Sequence, residues 1–332
     1  MQRRKFITHS SQLGIAVSLM GLYACKVTKK HESELVAPSE TDMVKEPFFK
    51  LSLAQWSIHN MIWEGRDPYT FAELAKNWGF SGLEYVSQLY DKELEPLGYS
   101  EEAMAAFVEK SNAEAKKHGL QNVLIMIDGQ GDLATVDTKE RNKAVENHYK
   151  WVDAAAKMGC HAIRVNLSGS NVPDEWKASA VDGLTQLATY AKDKQINITV
   201  ENHGGLSSNA EMLAAVMDAV GMDNCGTLPD FGNFCIRRND PADWASGCAE
   251  KYDIYKGVKE LMVHAKAVSA KSHDFDAEGN ETEIDYVKML QIVKDAGYTG
   301  YIGVEYEGSD LDEEAGILAT KNLMLKAAAA LS

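Results

Sequence analysis

The chain is dominated by a strict alternation of short apolar segments with longer amphipathic segments, from about residue 50 to the end. The apolar segments have the length of strands, and the segments between them carry apolar residues at helical spacing. Strands that alternate with helices in this way form a parallel sheet. We predict strands at 50–57, 82–87, 122–128, 162–168, 197–203, 225–231, 261–268 and 301–307. We predict helices at 68–78, 101–118, 139–158, 175–194, 209–220, 240–257, 285–296 and 312–330.

Eight is the number of strands at which a parallel sheet closes into a barrel, and such domains have roughly 250 residues. The 332-residue chain accommodates one barrel at 47–332, preceded by an extension. The alternative is a doubly wound open sheet. That fold places a glycine-rich turn after its first strand, where this chain has Trp56-Ser57-Ile58-His59. We therefore predict a single α/β domain, a (β/α)8 TIM barrel.

Residues 1–25 are typical of an export signal. Arg3-Arg4-Lys5 precede an apolar stretch, 13–23, that is shorter than the roughly 20 apolar residues of a membrane-spanning helix. Ala24-Cys25 resembles the end of a bacterial lipobox, which makes Cys25 a candidate for lipid attachment. The polar residues 26–46 are expected to be a linker. We expect an exported protein, periplasmic or anchored as a lipoprotein.

Charge and cysteine content argue against two classes of function. The formal net charge of −15 argues against nucleic-acid binding, which requires a basic face. The cysteines beyond Cys25 lack CxxC spacing, which argues against a cysteine-rich zinc cluster. Buried thiols are the main expectation for them, and one disulfide is the alternative. They are Cys160, Cys225, Cys235 and Cys248.

Acidic or imidazole side chains stand at the ends of four consecutive predicted strands. They are Glu201, Asp230, His264 and Glu305. Functional side chains of such barrels lie at the C-terminal ends of strands, so we expect the four to meet. Each alone would be an ordinary capping acid or core histidine, but four buried charges together need a partner, and a shared divalent cation is the simplest. Three carboxylates and one imidazole favour Mn²⁺, Mg²⁺ or Co²⁺, with Zn²⁺ as an alternative.

Four short strings carry a family resemblance: V-E-N-H at 200–203, D-F-G-N at 230–233, H-A-K at 264–266 and G-V-E at 303–305. Together they resemble the xylose-isomerase-like sugar isomerase/epimerase superfamily, over residues 49–330. The resemblance implies a divalent metal, commonly manganese, on the four residues named above, and barrels that often pair as homodimers. By similarity to ketose 3-epimerases, Glu201 and Glu305 would also exchange the substrate proton. Asn233 departs from the pattern, since several relatives have histidine there.

Other polar side chains near strand ends are candidate members of a sugar site. Lys266 lies two residues beyond His264 and would face the same side of a strand, where it stabilises an enediolate oxygen or pairs with an acid. His203 could bind a sugar hydroxyl or orient Glu201. Trp56 and Trp63 are candidates for an apolar wall. The candidates for binding sugar hydroxyls are His203, Asn233, Glu84, Asn166 and His59.

The predicted site suits proton transfer beside a carbonyl. A metal that chelates a carbonyl and a neighbouring hydroxyl lowers the cost of an enediolate, and two flanking carboxylates move the proton. The sequence therefore predicts a metal-dependent isomerase or epimerase of a keto-sugar, free, oxidised or glycosidic rather than phosphorylated. A lyase or dehydratase on a 3-keto-glycoside is the alternative, because it uses the same enediolate. A non-catalytic sugar-binding lipoprotein and a metal-dependent phosphodiesterase stay open, the latter disfavoured by the negative charge.

Overall fold

Eight parallel strands curl into a sheet at the centre of the fold, in a computed structural model that describes residues 46–240, 243 and 246–331. The predicted signal peptide, with Cys25, and nearly all of the predicted linker lie outside the described residues. The strands are β1 (Lys50–Ala54), β2 (Gly82–Val86), β3 (Gln121–Ile127), β4 (Ala162–Val165), β5 (Asn197–Glu201), β6 (Cys225–Leu228), β7 (Cys235–Arg238), β8 (Cys248–Lys251), β9 (Val268–Ser272) and β10 (Tyr301–Tyr306).

The order of hydrogen-bonded strands is β6-β5-β4-β3-β2-β1-β10-β9, and every pair in it is parallel. Isolated bridges join the two ends of this sheet, from Thr227 to Ala265 and from Asp230 to Ser269. The predicted (β/α)8 TIM-barrel fold is thereby confirmed. Strands β7 and β8 are outside the barrel and form an antiparallel pair of their own.

Helices cover the outside of the barrel because each has one apolar face that must be buried against the strands. In α5, for example, Trp151, Val152 and Ala155 are buried, and the side chain of Asp137 caps the first turn by accepting from the backbone N–H groups of residues 139 and 140. Among the described residues, no helix is long and apolar enough to cross a membrane. The helices are α1 (His59–Trp63), α2 (Phe71–Asn77), α3 (Asp91–Leu94), α4 (Glu101–His118), α5 (Thr138–Met158), α6 (Pro173–Lys192), α7 (Ala210–Val220), α8 (Ile254–Leu261), α9 (Tyr286–Asp295) and α10 (Glu313–Ala330).

The seventh barrel strand does not lie where the sequence predicts it. The run Leu261-Met262-Val263 completes α8 and enters a 3₁₀ turn, Met262–His264, and Val263 is 78% exposed. The strand is β9, at Val268–Ser272. A short apolar run fits a buried strand and the end of an amphipathic helix equally well, and here it ends α8 and forms the 3₁₀ turn that follows.

The predicted helix at 240–257 is also wrong over most of its length. The chain forms the β7–β8 hairpin there, and a disulfide joins Cys235 to Cys248 across it. Among the described residues of the predicted segment, only 254–257 are helical, as the start of α8. The other two cysteines of the described part, Cys160 and Cys225, are buried thiols, as expected.

The interior of the barrel is unusually polar. Alternate residues of a strand face the same side, and on several strands these inward positions carry charge. Glu84, on β2, packs against Gly303 on β10 so closely that a Cβ atom at 303 would lie 2.3 Å from the Glu84 carboxylate. Two residues further along β10, the inward position is Glu305. The charged inward positions therefore continue to the C-terminal end of the barrel, where the predicted site lies.

Candidate active site

Three of the four predicted ligands meet at the C-terminal end of the barrel. Glu201 is the last residue of β5, Asp230 follows β6, and Glu305 is near the end of β10. One carboxylate oxygen of each lies within 4.8 Å of the others. Their exposed fractions are 1%, 0% and 2%, so the cluster is out of contact with bulk water. We refer to these three residues as the carboxylate triad.

The turn after β6 fixes the carboxylate of Asp230. The backbone N–H groups of Gly232 and Asn233 donate to its Oδ1 at 2.9 and 2.8 Å. The hydroxyl of Ser269 donates to its Oδ2 at 2.6 Å and also lies 2.8 Å from Oε2 of Glu305. A hydroxyl has one proton, so Ser269 serves only one of these two carboxylates fully at a time. The D-F-G-N string therefore acts through its backbone as well as its side chains.

Glu201 is held from two sides. The side-chain amide of Asn233 donates to Oε1 at 2.9 Å, so Asn233 orients a triad member. The Nε atom of Arg164, on β4, lies 2.8 Å from Oε2 without the alignment of a hydrogen bond. Arg164 also donates to Asp128 at 2.9 Å, and the amide of Asn166 donates to the same carboxylate at 2.7 Å. Strands β3, β4 and β5 thus share one buried network.

A lysine on β9 stands beside the triad. Lys271 is 1% exposed, and its Nζ lies 3.2 Å from Oε1 of Glu305, 2.8 Å from Oε1 of Glu307 and 4.0 Å from Oδ2 of Asp230. In the register of the sheet, Lys271 pairs with Glu305. The ammonium is therefore shared among three carboxylates.

Burial sets the ionisation of these groups. It raises the pKa of Glu201, against the opposing effect of Arg164, and it raises the pKa of Asp230, against the opposing effect of Lys271. Burial alone would lower the pKa of Lys271, but Glu305, Glu307 and Asp230 raise it well above its ordinary value. The site therefore combines a lysine whose charged form is favoured with two acids, Glu201 and Asp230, whose pKa values are raised.

The triad fits a hard divalent cation. Its donors are all carboxylate oxygens, the ligand type preferred by Mg²⁺ and Mn²⁺, and they converge on one point from three strands. The single hydroxyl of Ser269 satisfies the facing oxygens of Asp230 and Glu305 only in part. A cation among the three would relieve both the shared hydrogen bond and the mutual repulsion of the carboxylates.

His264 and Lys266 are not part of this cluster. His264 ends the 3₁₀ turn before β9, and its Nε2 lies 3.3 Å from Asp218. Lys266 lies against Gly226 near the start of β6. Both are at the N-terminal side of the barrel because β9 begins at Val268, several residues later than predicted. The predicted positions of His264 as a fourth ligand and of Lys266 as a catalytic cation are therefore wrong.

A cavity of about 260 Å³ opens beside the triad. Its size is at the small end for ligand sites, which suits a small molecule. It contains one predicted hydroxyl binder, His203, whose pKa is lowered by burial, and one predicted wall residue, Trp56. The residues that line it are Trp56, Gln88, Asp128, Arg164, His203, Glu305 and Glu307.

The remaining predicted sugar binders lie around this cavity rather than in its lining. His59 stacks on Trp56 with ring centroids 4.5 Å apart, and Trp63 contacts both rings edge-on. The side-chain amide of Asn166 donates to the cavity residue Asp128. Glu84 lies in the barrel interior, where the hydroxyl of Ser52 donates to it at 2.6 Å. His59 and Asn166 therefore support cavity residues, and Glu84 lies in the interior.

Several residues of the site are absent from the sequence-based prediction. Asp128 and Arg164 stand at the ends of β3 and β4, so the strand-end rule that found Glu201 would also have found them. Lys271 and Ser269 were missed because β9 was placed too early in the chain. Glu307, two residues beyond Glu305, is not among the predicted site residues.

The fold is similar to that of several solved TIM-barrel structures. A D-tagatose 3-epimerase-like protein superposes with a TM-score of 0.62 at 16% identity, covering 84% of this chain and 97% of its own. The IOLI protein with a bound zinc atom gives 0.61 at 17%, covering 84% and 98%. A xylose isomerase-like TIM barrel protein from Mycobacterium smegmatis in complex with magnesium gives 0.58 at 16%, covering 85% and 97%. At these identities the likeness shows the fold.

Among curated proteins, none matches this chain. The family model described as xylose isomerase-like TIM barrel matches residues 72–327, which include every strand of the barrel except the first. The matched region also holds the whole triad. The chain belongs to the xylose isomerase-like TIM barrel family.

Proposed function

We propose that this protein is a divalent-metal-dependent sugar isomerase or epimerase that moves a proton at the carbon beside the carbonyl of a keto-sugar. One observation carries the proposal: two buried glutamates, Glu201 and Glu305, share a cluster with Asp230, and Glu305 lines the adjoining cavity. The structural likeness to a D-tagatose 3-epimerase-like protein supports the same class of reaction.

The two glutamates are the acid/base pair of the proposed reaction. A carboxylate whose pKa is raised towards the working pH is an effective proton acceptor and donor, and burial raises the pKa of Glu201 in this direction. Asn233 and Arg164 hold Glu201 in one orientation, so that it meets the substrate from a fixed side. Glu305 comes from the other side of the barrel opening, on β10.

The proposed metal is Mn²⁺, with Mg²⁺, Co²⁺ and Zn²⁺ as further candidates, on Glu201, Asp230 and Glu305. When bound, a divalent ion supplies electrostatic stabilisation of the negative charge that develops on oxygen as the proton leaves. Two similar structures were solved with zinc and with magnesium, which supports a divalent ion in this fold. The all-oxygen donor set favours Mn²⁺ or Mg²⁺ over Zn²⁺.

The proposed substrate is an uncharged sugar. The cavity is lined by three acids, Asp128, Glu305 and Glu307, against one cation, Arg164, which is already paired with Asp128. A phosphate group would be repelled by this lining. The indole of Trp56 offers an apolar face for a sugar ring, and Gln88 and His203 offer groups that hydrogen-bond to hydroxyls.

Exchange of substrate protons in D₂O tests the proposal. The purified protein with Mn²⁺ is incubated with free keto-sugars, their phosphorylated forms and 3-keto-glycosides, and NMR follows each carbon-bound proton. We expect deuterium to enter beside the carbonyl of an unphosphorylated sugar, and a chelator to stop the exchange. Release of an aglycone would assign a lyase, and binding without exchange would assign a sugar-binding protein.

We also propose that the protein is exported. The Cys235–Cys248 disulfide supports this, because disulfides persist in oxidising compartments and are rare in the cytosol. The N-terminal twin arginine and Cys25 agree with it. In the native host, protease is added to intact cells and to cells whose outer membrane has been opened. In at least one of these preparations it should digest the protein. Recovery of the protein only with cytosolic markers, and with its cysteines reduced, would contradict the proposal.

A further inference from the structure

Neither of the β9 residues that contact the triad is a histidine. The inward-facing residues of β9 beside the triad are Ser269 and Lys271, which contact Asp230 and Glu305 directly. A serine hydroxyl is a weak metal ligand, and an ammonium has no free electron pair to donate. A divalent ion held by Glu201, Asp230 and Glu305 would therefore meet a positive neighbour, and no strong ligand, from β9.

Lys271 is fixed in this position by the sheet. Its Cα pairs with that of Glu305 in the parallel register of β9 and β10, and its ammonium lies 3.2 Å from the Glu305 carboxylate. A second carboxylate, Glu307, accepts a hydrogen bond from the same ammonium at 2.8 Å. The Cγ of Lys271 also lies so near Gly232 that a Cβ atom there would be 2.9 Å away. The turn after β6 thus leaves space for the lysine stem.

The charge of Lys271 offsets the mutual repulsion of the three carboxylates, as a bound metal would. Three buried carboxylates repel one another strongly at these distances, and two buried cations, Lys271 and Arg164, oppose that repulsion. A divalent ion in the same cluster would be attracted by the carboxylates and repelled by Lys271. The lysine and the ion therefore compete for the same negative charge.

We propose that Lys271 is a built-in cation of the carboxylate triad, which keeps the barrel folded without metal and makes the site bind a divalent ion weakly and exchangeably. The inference rests on the proposed function for the identity of the metal ligands, and goes beyond it by assigning the control of metal affinity to one side chain. Removing the positive charge is expected to tighten Mn²⁺ binding by about tenfold or more.

Titration calorimetry with Mn²⁺ on the full chain tests this, with Lys271→Met, Lys271→Arg and Lys266→Met compared with the wild type. We expect Lys271→Met to bind at least about tenfold more tightly, and Lys271→Arg and Lys266→Met to bind like the wild type. Lys271→Arg keeps the charge at the same position, and Lys266→Met removes a lysine at the other end of the barrel. Equal affinity of wild type and Lys271→Met would overturn the proposal.

Thermal unfolding gives a second readout that needs no activity. The wild type is expected to melt at nearly the same temperature in chelator and in Mn²⁺, whereas Lys271→Met should melt lower in chelator and recover with Mn²⁺. If Lys271→Met is unfolded in chelator, refolding on addition of Mn²⁺ is the expected result, and failure to refold overturns the proposal. If no variant binds Mn²⁺, both this proposal and the proposed metal dependence are overturned. If the wild type binds Mn²⁺ tightly, only this proposal is overturned.

Discussion

Replacing Glu305 with glutamine is expected to lower the rate of deuterium exchange into the keto-sugar substrate by about 10²–10⁴. Glutamine has nearly the same shape but does not accept a proton. Because Glu305 is also a proposed metal ligand, Mn²⁺ binding by the variant is measured beside the exchange rate. The carbonyl oxygen of the glutamine can still accept the hydrogen bond of Ser269, which Glu305 now shares with Asp230. The fold should therefore be retained, and NMR in D₂O measures the exchange rate directly.

The matched control is Glu283→Gln, because the Glu283 side chain is 67% exposed and does not line the cavity. It removes the same charge from the protein and should exchange at the wild-type rate. Sugar binding by Glu305→Gln, followed by calorimetry, separates lost chemistry from lost binding. Unchanged exchange in Glu305→Gln would remove this residue from the proposed acid/base pair.

The second large effect concerns the pH dependence of stability. Glu84 is 1% exposed, and burial raises its pKa from 4.5 to about 8 in the folded protein, although the hydrogen bond from Ser52 lowers it. Between these two values the unfolded chain releases a proton that the folded chain retains. The wild type therefore loses stability as pH rises through this window, and the loss is complete above about pH 8.

Glu84→Gln mimics the protonated side chain and has no proton to lose. We expect its free energy of unfolding, relative to the wild type, to rise by about 3–5 kcal/mol between pH 4 and pH 9. Urea unfolding at a series of pH values measures this difference. Exposed Glu278→Gln is the control and should give a flat difference. A flat difference for Glu84→Gln would show that Glu84 is ionised in the folded barrel at neutral pH.

Most of the fold could be predicted from the sequence because its signals are local. Seven of the eight predicted barrel strands match observed ones over four or more residues, since each is a clear apolar run between amphipathic helices, and the eighth shares only Val268 with β9. The exception is Leu261-Met262-Val263, which has the composition of a strand but forms the end of α8 and the 3₁₀ turn after it. The β7–β8 hairpin was missed because its pairing depends on residues 13 apart in the chain, which the Cys235–Cys248 disulfide joins.

The site residues that directly follow clear apolar strands could be predicted from the sequence. Those on β9 could not, because their positions depend on how β9 pairs with its neighbour. Glu201, Asp230 and Glu305 follow apolar strands directly, so their convergence follows from the barrel. Shifting β9 by several residues replaces His264 and Lys266 with Ser269 and Lys271. No single-strand pattern fixes that shift, because it is set by the pairing of β9 with β10.

The central claim is that Glu201, Asp230 and Glu305 hold a divalent cation, and anomalous diffraction from crystals soaked in millimolar Mn²⁺ tests it most directly. We predict an anomalous peak between these three carboxylates and none at His264, which lies beside Asp218 at the other end of the barrel. A peak at His264, or no peak among the carboxylates at saturating Mn²⁺, would contradict the account.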